Sequence, residues 1–136
     1  MARFRNPDVR AGTTPEDLLA VRTKTMQMTV GRELSDDEIA DYTSPWTSPA
    51  RCRSWMAMAG AADARLTTDL VPGLPETAIP ARLVWGRDDD FQKVAFARRY
   101  VREISGSDLV EVTGRHIPTE DSTEAVASAM PEHLTG

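Results

Sequence analysis

The chain has 136 residues, of which 40% are hydrophobic and 27% charged, values typical of one globular domain with its own core. A formal net charge of −5 provides no basic surface for nucleic acid, so we expect no nucleic-acid partner. The longest apolar run, Trp55 to Ala62, is too short to span a bilayer, and no membrane partner is expected. A single cysteine, Cys52, and a first segment without a signal-peptide core predict a soluble, cytoplasmic protein.

Residues 1–76 carry the signals of a helical region. Helix starts are indicated at Thr14-Pro15 and Ser48-Pro49, where a capping residue precedes a proline, and at the capping box Ser35-Asp36-Asp37-Glu38. Residues 1–13 are polar and are predicted to be a flexible segment. The third helix has one apolar face, which either packs against other helices or lines a substrate pocket. That face is formed by Cys52, Trp55, Met56, Ala59 and Ala62.

Residues 77–136 predict a small β-α-β-α unit. Ala81–Trp85 has the apolar, β-compatible side chains of a buried strand, and Asp108–Val112 predicts a second strand. Between them, Phe91–Ile104 predicts an amphipathic helix, whose length suits a crossover between parallel strands.

A last helix is predicted to begin with Asp121 as its cap and to run through Leu134. Pro131 removes a backbone hydrogen bond within it, so a kink or an early end is expected there. His133 lies in the same stretch and is predicted to be a surface residue.

Each predicted strand is followed by residues that can carry chemistry. Three acids, Asp88-Asp89-Asp90, follow the first strand, and Thr113-Gly114-Arg115-His116 follows the second. Because parallel strands end at one edge of their sheet, a carboxylate and an imidazole would meet there, as in two members of a catalytic triad. The alternative is an exposed acidic turn with one acid capping the next helix. The spacing lacks the alternating ligands and glycine of a calcium loop, so we expect no metal and no cofactor.

These residues resemble the α/β-hydrolase family. The acid-bearing segment of that family is similar to Trp85-Gly86-Arg87-Asp88-Asp89, with Phe91 and Ala97-Arg98-Arg99 after it. Its histidine loop is similar to Gly114-Arg115-His116-Ile117-Pro118, with Glu120-Asp121 after it. The similar stretch covers roughly Ile79 to Leu134, and the residues before it resemble the helical cap of many members.

The resemblance implies that Asp89 is the acid of a triad and His116 its base. Asp88 is the fallback for the acid, and Asp90 stands where the family often has proline. In the family, the nucleophile lies earlier in the chain, on a Gly-x-Ser-x-Gly turn or an Asp variant of it. No Gly-x-Ser-x-Gly turn occurs in this sequence, so we expect the C-terminal half of a hydrolase that is inactive alone.

The implied fold class is α/β: a truncated α/β-hydrolase with a helical cap-like part, 1–76, before a two-stranded parallel β-α-β-α part, 77–136. Such a half would serve the hydrolysis of an ester, epoxide, carbon–halogen or similar bond in a small apolar substrate, once completed by the N-terminal half. The alternative is a non-catalytic remnant that acts as a small helical binding or dimerisation module. Two strands leave an edge unpaired beside Leu83 and Trp85, so self-association, a partner chain carrying the missing strands, or marginal stability is expected.

Overall fold

The computed structural model describes residues 2–77 and 79–130, and their side chains from Phe4 onward. The described residues of Met1–Gln27 and Leu34–Asp69 form one compact unit, called unit 1. Those of Met28–Glu33 and Leu70–Gly136 form a second, called unit 2. The division into a cap-like part and a hydrolase core part stays a prediction.

Unit 1 is helical. Its elements are a 3-10 helix at Ala2–Arg5, α1 (Pro7–Gly12), α2 (Pro15–Thr29, whose last two residues belong to unit 2), α3 (Asp36–Thr43), a 3-10 helix at Ser44–Trp46, α4 (Pro49–Ala61) and α5 (Arg65–Thr68). The three predicted helix starts are confirmed by their caps. The hydroxyl of Thr14 accepts the Asp17 N–H at 3.1 Å, and that of Ser48 accepts the Arg51 N–H at 3.3 Å. Ser35 forms the complete capping box.

The prediction of a flexible segment at residues 1–13 is wrong for residues 2–13, which form two short helices. The Asn6 side chain caps α1 by accepting the Asp8 N–H at 2.8 Å, and Pro7 takes the first helical position. Phe4 is 6% exposed and packs edge-on against Trp55, with ring centroids 5.3 Å apart. One buried aromatic ring thus anchors a segment whose composition is polar.

The apolar face of α4 is part of the core of unit 1. Its buried members Cys52, Trp55, Met56 and Ala59 cluster with Phe4 and Leu18. This face therefore packs against other helices, while Ala62 lies beyond the helix end and is exposed. Burial raises the pKa of the Cys52 thiol, which keeps it in its unreactive form.

Unit 2 contains a two-stranded parallel sheet. Its elements are a 3-10 helix at Val71–Glu76, β1 (Ala81–Gly86), α6 (Val94–Glu103), β2 (Ser107–Val112), α7 (Pro118–Asp121) and α8 (Thr123–Ala129). In the register, Ala81 pairs with Ser107 and Gly86 with Val112. The predicted fold class, a helical part followed by a two-stranded parallel β-α-β-α part, is confirmed. Between α4 and β1, residues 65–76 contain short helical turns.

Side-chain contacts join helices to opposite faces of this sheet. Arg82 on β1 binds Asp108 on β2 at 2.6 Å and also donates to the carbonyl of Ala129 in α8. Glu111 on β2 binds Arg98 of α6 at 2.6 Å. Side chains alternate along a strand, so these two positions point to different sides, and α6 and α8 lie on different faces.

The helices after each strand differ from the prediction at their first residues. The predicted helix at Phe91–Ile104 begins only at Val94. Phe91 and Gln92 lie before it, in a turn where their backbone N–H groups donate to the Asp89 carboxylate. Phe91 is 48% exposed and lies before the helix.

The predicted cap role of Asp121 is also wrong. Asp121 ends α7, its carboxylate binds backbone groups elsewhere, and α8 follows after Ser122. Pro131, His133 and Leu134 lie outside the described residues.

Candidate active site

The structure brings together the two residues predicted as acid and base. The Oδ2 atom of Asp89, in the turn after β1, lies 3.0 Å from Nδ1 of His116, in the turn after β2. Asp89 is 5% exposed, whereas the His116 side chain is 35% exposed. The pair therefore has a buried acid and an imidazole that reaches the surface of unit 2.

The second carboxylate oxygen of Asp89 fixes the acid in place. Oδ1 accepts the backbone N–H groups of Phe91 and Gln92, each at 2.8 Å. The next turn is closed by the Trp85 indole, whose N–H donates to the Gln92 carbonyl at 2.9 Å. Both oxygens of Asp89 are therefore occupied, and neither can rotate without breaking a hydrogen bond.

The environment of Asp89 favours its ionised form. Burial raises the pKa of this carboxyl, but the hydrogen bonds from the Gln92 N–H, the His116 ring and the Phe91 N–H together outweigh burial and lower the pKa below its ordinary value. An ionised carboxylate can only accept a hydrogen bond, so Nδ1 of His116 carries the proton. In a neutral imidazole with its proton on Nδ1, the other ring nitrogen, Nε2, has a lone pair, which is the form that a general base requires.

A small cavity of about 150 Å³ lies beside the pair. Its lining includes Asp89, His116, Val84, Gly86 and Pro118. Within residues 2–77 and 79–130, Nε2 of His116 makes no hydrogen bond, and the Phe91 ring lies 5.4 Å from the imidazole centroid. The imidazole is thus held on one side and open on the other.

The loop that carries His116, residues 113–117, is fixed by contacts that the sequence did not predict. Gly86 lies so close to it that a Cβ would stand 2.0 Å from the Arg115 carbonyl oxygen. The Asp88 N–H donates to the Gly114 carbonyl at 2.9 Å, and Gly114 has a φ of +129°, which favours glycine. No local signal distinguishes Gly86 from an ordinary strand end.

The opposite side of this loop contacts the residues at the end of α7. The Asp121 carboxylate accepts the Arg115 N–H at 2.6 Å, and the Ser122 hydroxyl donates to the Thr113 carbonyl at 2.7 Å. Asp121 also accepts the Gly31 N–H at 2.7 Å. Sequence reasoning missed this role because the residues involved are up to 90 positions apart.

The other two acids of the triplet lie at the surface. Asp88, the fallback acid, is exposed, and Asp90 is exposed and pairs with Lys93. Asp89 differs from them in being buried against the imidazole, and its carboxylate also accepts the N–H groups of the turn before α6. In the described part of the chain, no three His, Cys, Asp or Glu side chains are grouped as a metal would need.

No helix among the described residues is long and apolar enough to cross a membrane. No protein-family model matches the sequence, and no curated protein matches it.

Solved structures do match this fold. An α/β hydrolase fold protein from Burkholderia ambifaria matches over 95% of this chain, with a TM-score of 0.83 and 23% identity. This is the fold of an α/β-hydrolase. Haloalkane dehalogenase DbeA from Bradyrhizobium elkani matches over 93% of the chain, with a TM-score of 0.70 and 22% identity. An esterase from Exiguobacterium antarcticum, EaEST, matches over 95%, with a TM-score of 0.68 and 17% identity.

The chain spans about half the length of these proteins, covering 48%, 47% and 47% of them respectively. At these identities the likeness concerns the fold. Any catalytic role of this chain therefore has to be argued from the geometry of Asp89 and His116.

Proposed function

We propose that this chain supplies the acid and the base of a hydrolase, with Asp89 as the acid and His116 as the base. The observation that carries the proposal is the 3.0 Å distance between Asp89 Oδ2 and His116 Nδ1. The carboxylate is buried, and the two residues follow the ends of two parallel strands. Such a pair orients an imidazole and stabilises its charged form when it takes a proton.

In this role, Nε2 of His116 takes the proton of a nucleophilic hydroxyl or of a water molecule that attacks a covalent ester. Asp89 stays ionised and balances the charge of the imidazolium that forms. The open side of the imidazole next to the small cavity is where the reacting group would approach. The bond cleaved would be an ester, epoxide, carbon–halogen or similar bond in a small apolar substrate. The names of the haloalkane dehalogenase DbeA and the esterase EaEST agree with two of these, the carbon–halogen bond and the ester.

The nucleophile and the oxyanion donors would come from the complementary half of the fold. The printed sequence has no Gly-x-Ser-x-Gly turn, and the solved chains that match are about twice as long as the part covered. The partner in this proposal is therefore a polypeptide that carries the remaining parallel strands and the nucleophile.

The pair itself can be tested on the chain as it stands. Nitrogen NMR of the imidazole should show the Nδ1–H tautomer in the wild type at neutral pH, and the signals should move in Asp89→Asn. His116→Ala assigns them, because the sequence has only two histidines. A wild-type His116 in the Nε2–H tautomer would contradict the proposed base role.

Turnover is tested by co-expressing this chain with the part of the Burkholderia ambifaria protein that it does not cover. Nitrophenyl esters, epoxides and haloalkanes are the probes, and the chain alone is the control, expected to be at background. Hydrolysis that appears only in the complex and disappears in His116→Ala supports the proposal. Hydrolysis that persists in His116→Ala overturns it. A stable complex that hydrolyses none of the probes favours the binding or dimerisation module instead.

A further inference from the structure

We propose that Asp121 is a positioning residue for His116, an inference that rests on the proposed function and deepens it. The Asp121 carboxylate accepts backbone N–H groups from two segments: that of Arg115, directly before the histidine, and that of Gly31. Its described hydrogen bonds go to backbone N–H groups and not to the imidazole. Its effect would be transmitted through the loop, residues 113–117.

The two carboxylate oxygens of Asp121 bind different segments of the chain. Oδ2 accepts the Arg115 N–H at 2.6 Å, and Oδ1 accepts the N–H groups of Gly31 at 2.7 Å and Arg32 at 3.3 Å. Charged acceptors make the strongest hydrogen bonds to backbone N–H groups. One side chain therefore connects the segment Met28–Glu33 to the loop, both of which belong to unit 2.

Neighbouring contacts show that the loop is shaped around this carboxylate. A Cβ at Gly114 would stand 2.5 Å from the Asp121 Cβ, so Gly114 leaves the space that Asp121 occupies. The Ile117 N–H, directly after the histidine, donates to the Thr29 carbonyl at 3.2 Å. His116 thus lies between two backbone groups, those of Arg115 and Ile117, that are both tied to the segment 28–33, one of them through Asp121.

The opposite side of the loop is limited by β1. The space at Gly86 is filled by the Arg115 carbonyl, and the Gly114 carbonyl accepts the Asp88 N–H. The peptide groups before His116 are therefore held from two directions, by the turn after β1 and by Asp121. Loss of the contacts on one side lets the loop shift, and a displacement of about 1 Å is enough to weaken the hydrogen bond between Asp89 and His116.

The neighbouring Glu120 provides a matched control. It has the same charge in the same short helix, and its carboxylate pairs with the Arg32 side chain at 2.6 Å. Glu120→Gln removes one negative charge and weakens a contact to the segment 28–33. Asp121→Asn also removes one negative charge, and it replaces one of the two oxygens that accept backbone N–H groups by an NH2 donor.

The test is imidazole NMR of the purified chain, together with thermal melting. In Asp121→Asn we expect the His116 Nδ1–H signal to broaden or disappear through exchange with water and the ring shifts to move toward those of Asp89→Asn. Glu120→Gln should retain the wild-type signals at a comparable melting temperature. Asp121→Glu, which keeps the charge but displaces it by one methylene, serves if the asparagine variant does not fold, and should also move the ring signals.

An Asp121 variant that loses stability but retains wild-type His116 signals overturns the proposal, since Asp121 would then be only structural. Equal disturbance of the imidazole by Glu120→Gln also overturns it. The proposed hydrolase function fails separately, by absence of His116-dependent turnover in the complex. In an active complex, Asp121→Asn should lower kcat at least about tenfold with little change in KM.

Discussion

Gly86 and Arg115 approach each other so closely that the strand and the histidine loop leave no room for a side chain between them. A Cβ on Gly86 would stand 2.0 Å from the Arg115 carbonyl oxygen and 2.6 Å from that of Gly114. Both oxygens are backbone atoms, which cannot move aside as the end of a flexible side chain can. Glycine is therefore required at position 86, because the turn that carries the acid and the loop that carries the base leave no room for a Cβ.

Gly86→Ala should destabilise the chain by about 2–3 kcal/mol, because the added methyl group forces two backbone segments apart. Urea unfolding followed by circular dichroism measures this loss. Gly73→Ala is the matched control, since nothing lies within 4 Å of a Cβ there, and it should change stability by less than about 0.5 kcal/mol. Equal stability of the two variants would mean that the loop can move away freely.

His116→Ala and Asp89→Asn should each lower turnover of the completed hydrolase by at least about 10²-fold, since proton transfer in the transition state supplies that much. Both chains should still fold. Asp88→Asn distinguishes the two candidate acids, because Asp88 is exposed and should tolerate the change. A loss of activity in Asp88→Asn with none in Asp89→Asn would reassign the acid.

Acid should remove the stabilisation that Asp89 provides. The folded-state pKa of this carboxyl is lowered, so its contribution is present above the unfolded-state pKa, about 3.9, and is lost as pH falls through the lower folded value. The difference in unfolding free energy between the wild type and Asp89→Asn should therefore shrink as pH falls through this window.

This difference can be measured by urea unfolding at several pH values between neutral and strongly acid. Three other acids with lowered pKa values, Asp17, Asp63 and Glu111, titrate in both proteins and cancel in the difference, whereas the pKa of Asp90 also responds to the charge of Asp89. A difference that is constant across the whole range would mean that the Asp89 carboxylate gains nothing from ionisation in the folded chain.

The sequence allowed the strands, the three N-terminal helix starts and the proximity of Asp89 and His116 to be predicted, because each depends on neighbouring residues or on the common edge of parallel strands. Phe4 was missed because its environment along the chain is polar, and its partner Trp55 is far away in sequence. The start of α6 was predicted three residues too early, because Phe91 and Gln92 belong to the turn in which their N–H groups bind the Asp89 carboxylate. Asp121 looked like a cap, since its true partners become visible only when the chain is folded.

The purified chain is expected to associate with itself or to melt at a temperature that depends on concentration. The N–H groups of Ala81 and Arg87 both point to β2, so by alternation the backbone groups of Val84 point to the other edge of β1. Within residues 2–77 and 79–130 no strand pairs with that edge. Light scattering and melting at several concentrations measure the effect, and a monodisperse monomer with a concentration-independent melt would contradict it.

The parallel pairing also bears on the order in which the site assembles as the chain folds. Arg82 and Asp108 are 26 residues apart, and Asp89 and His116 are 27 apart, whereas Gly31 and Asp121 are separated by 90. Contacts between nearby residues close smaller loops and cost less chain entropy, so they form sooner. The acid and the base would therefore meet early, while β1, α6 and β2 come together, and the segment 28–33 would arrive later, onto a pair that already exists.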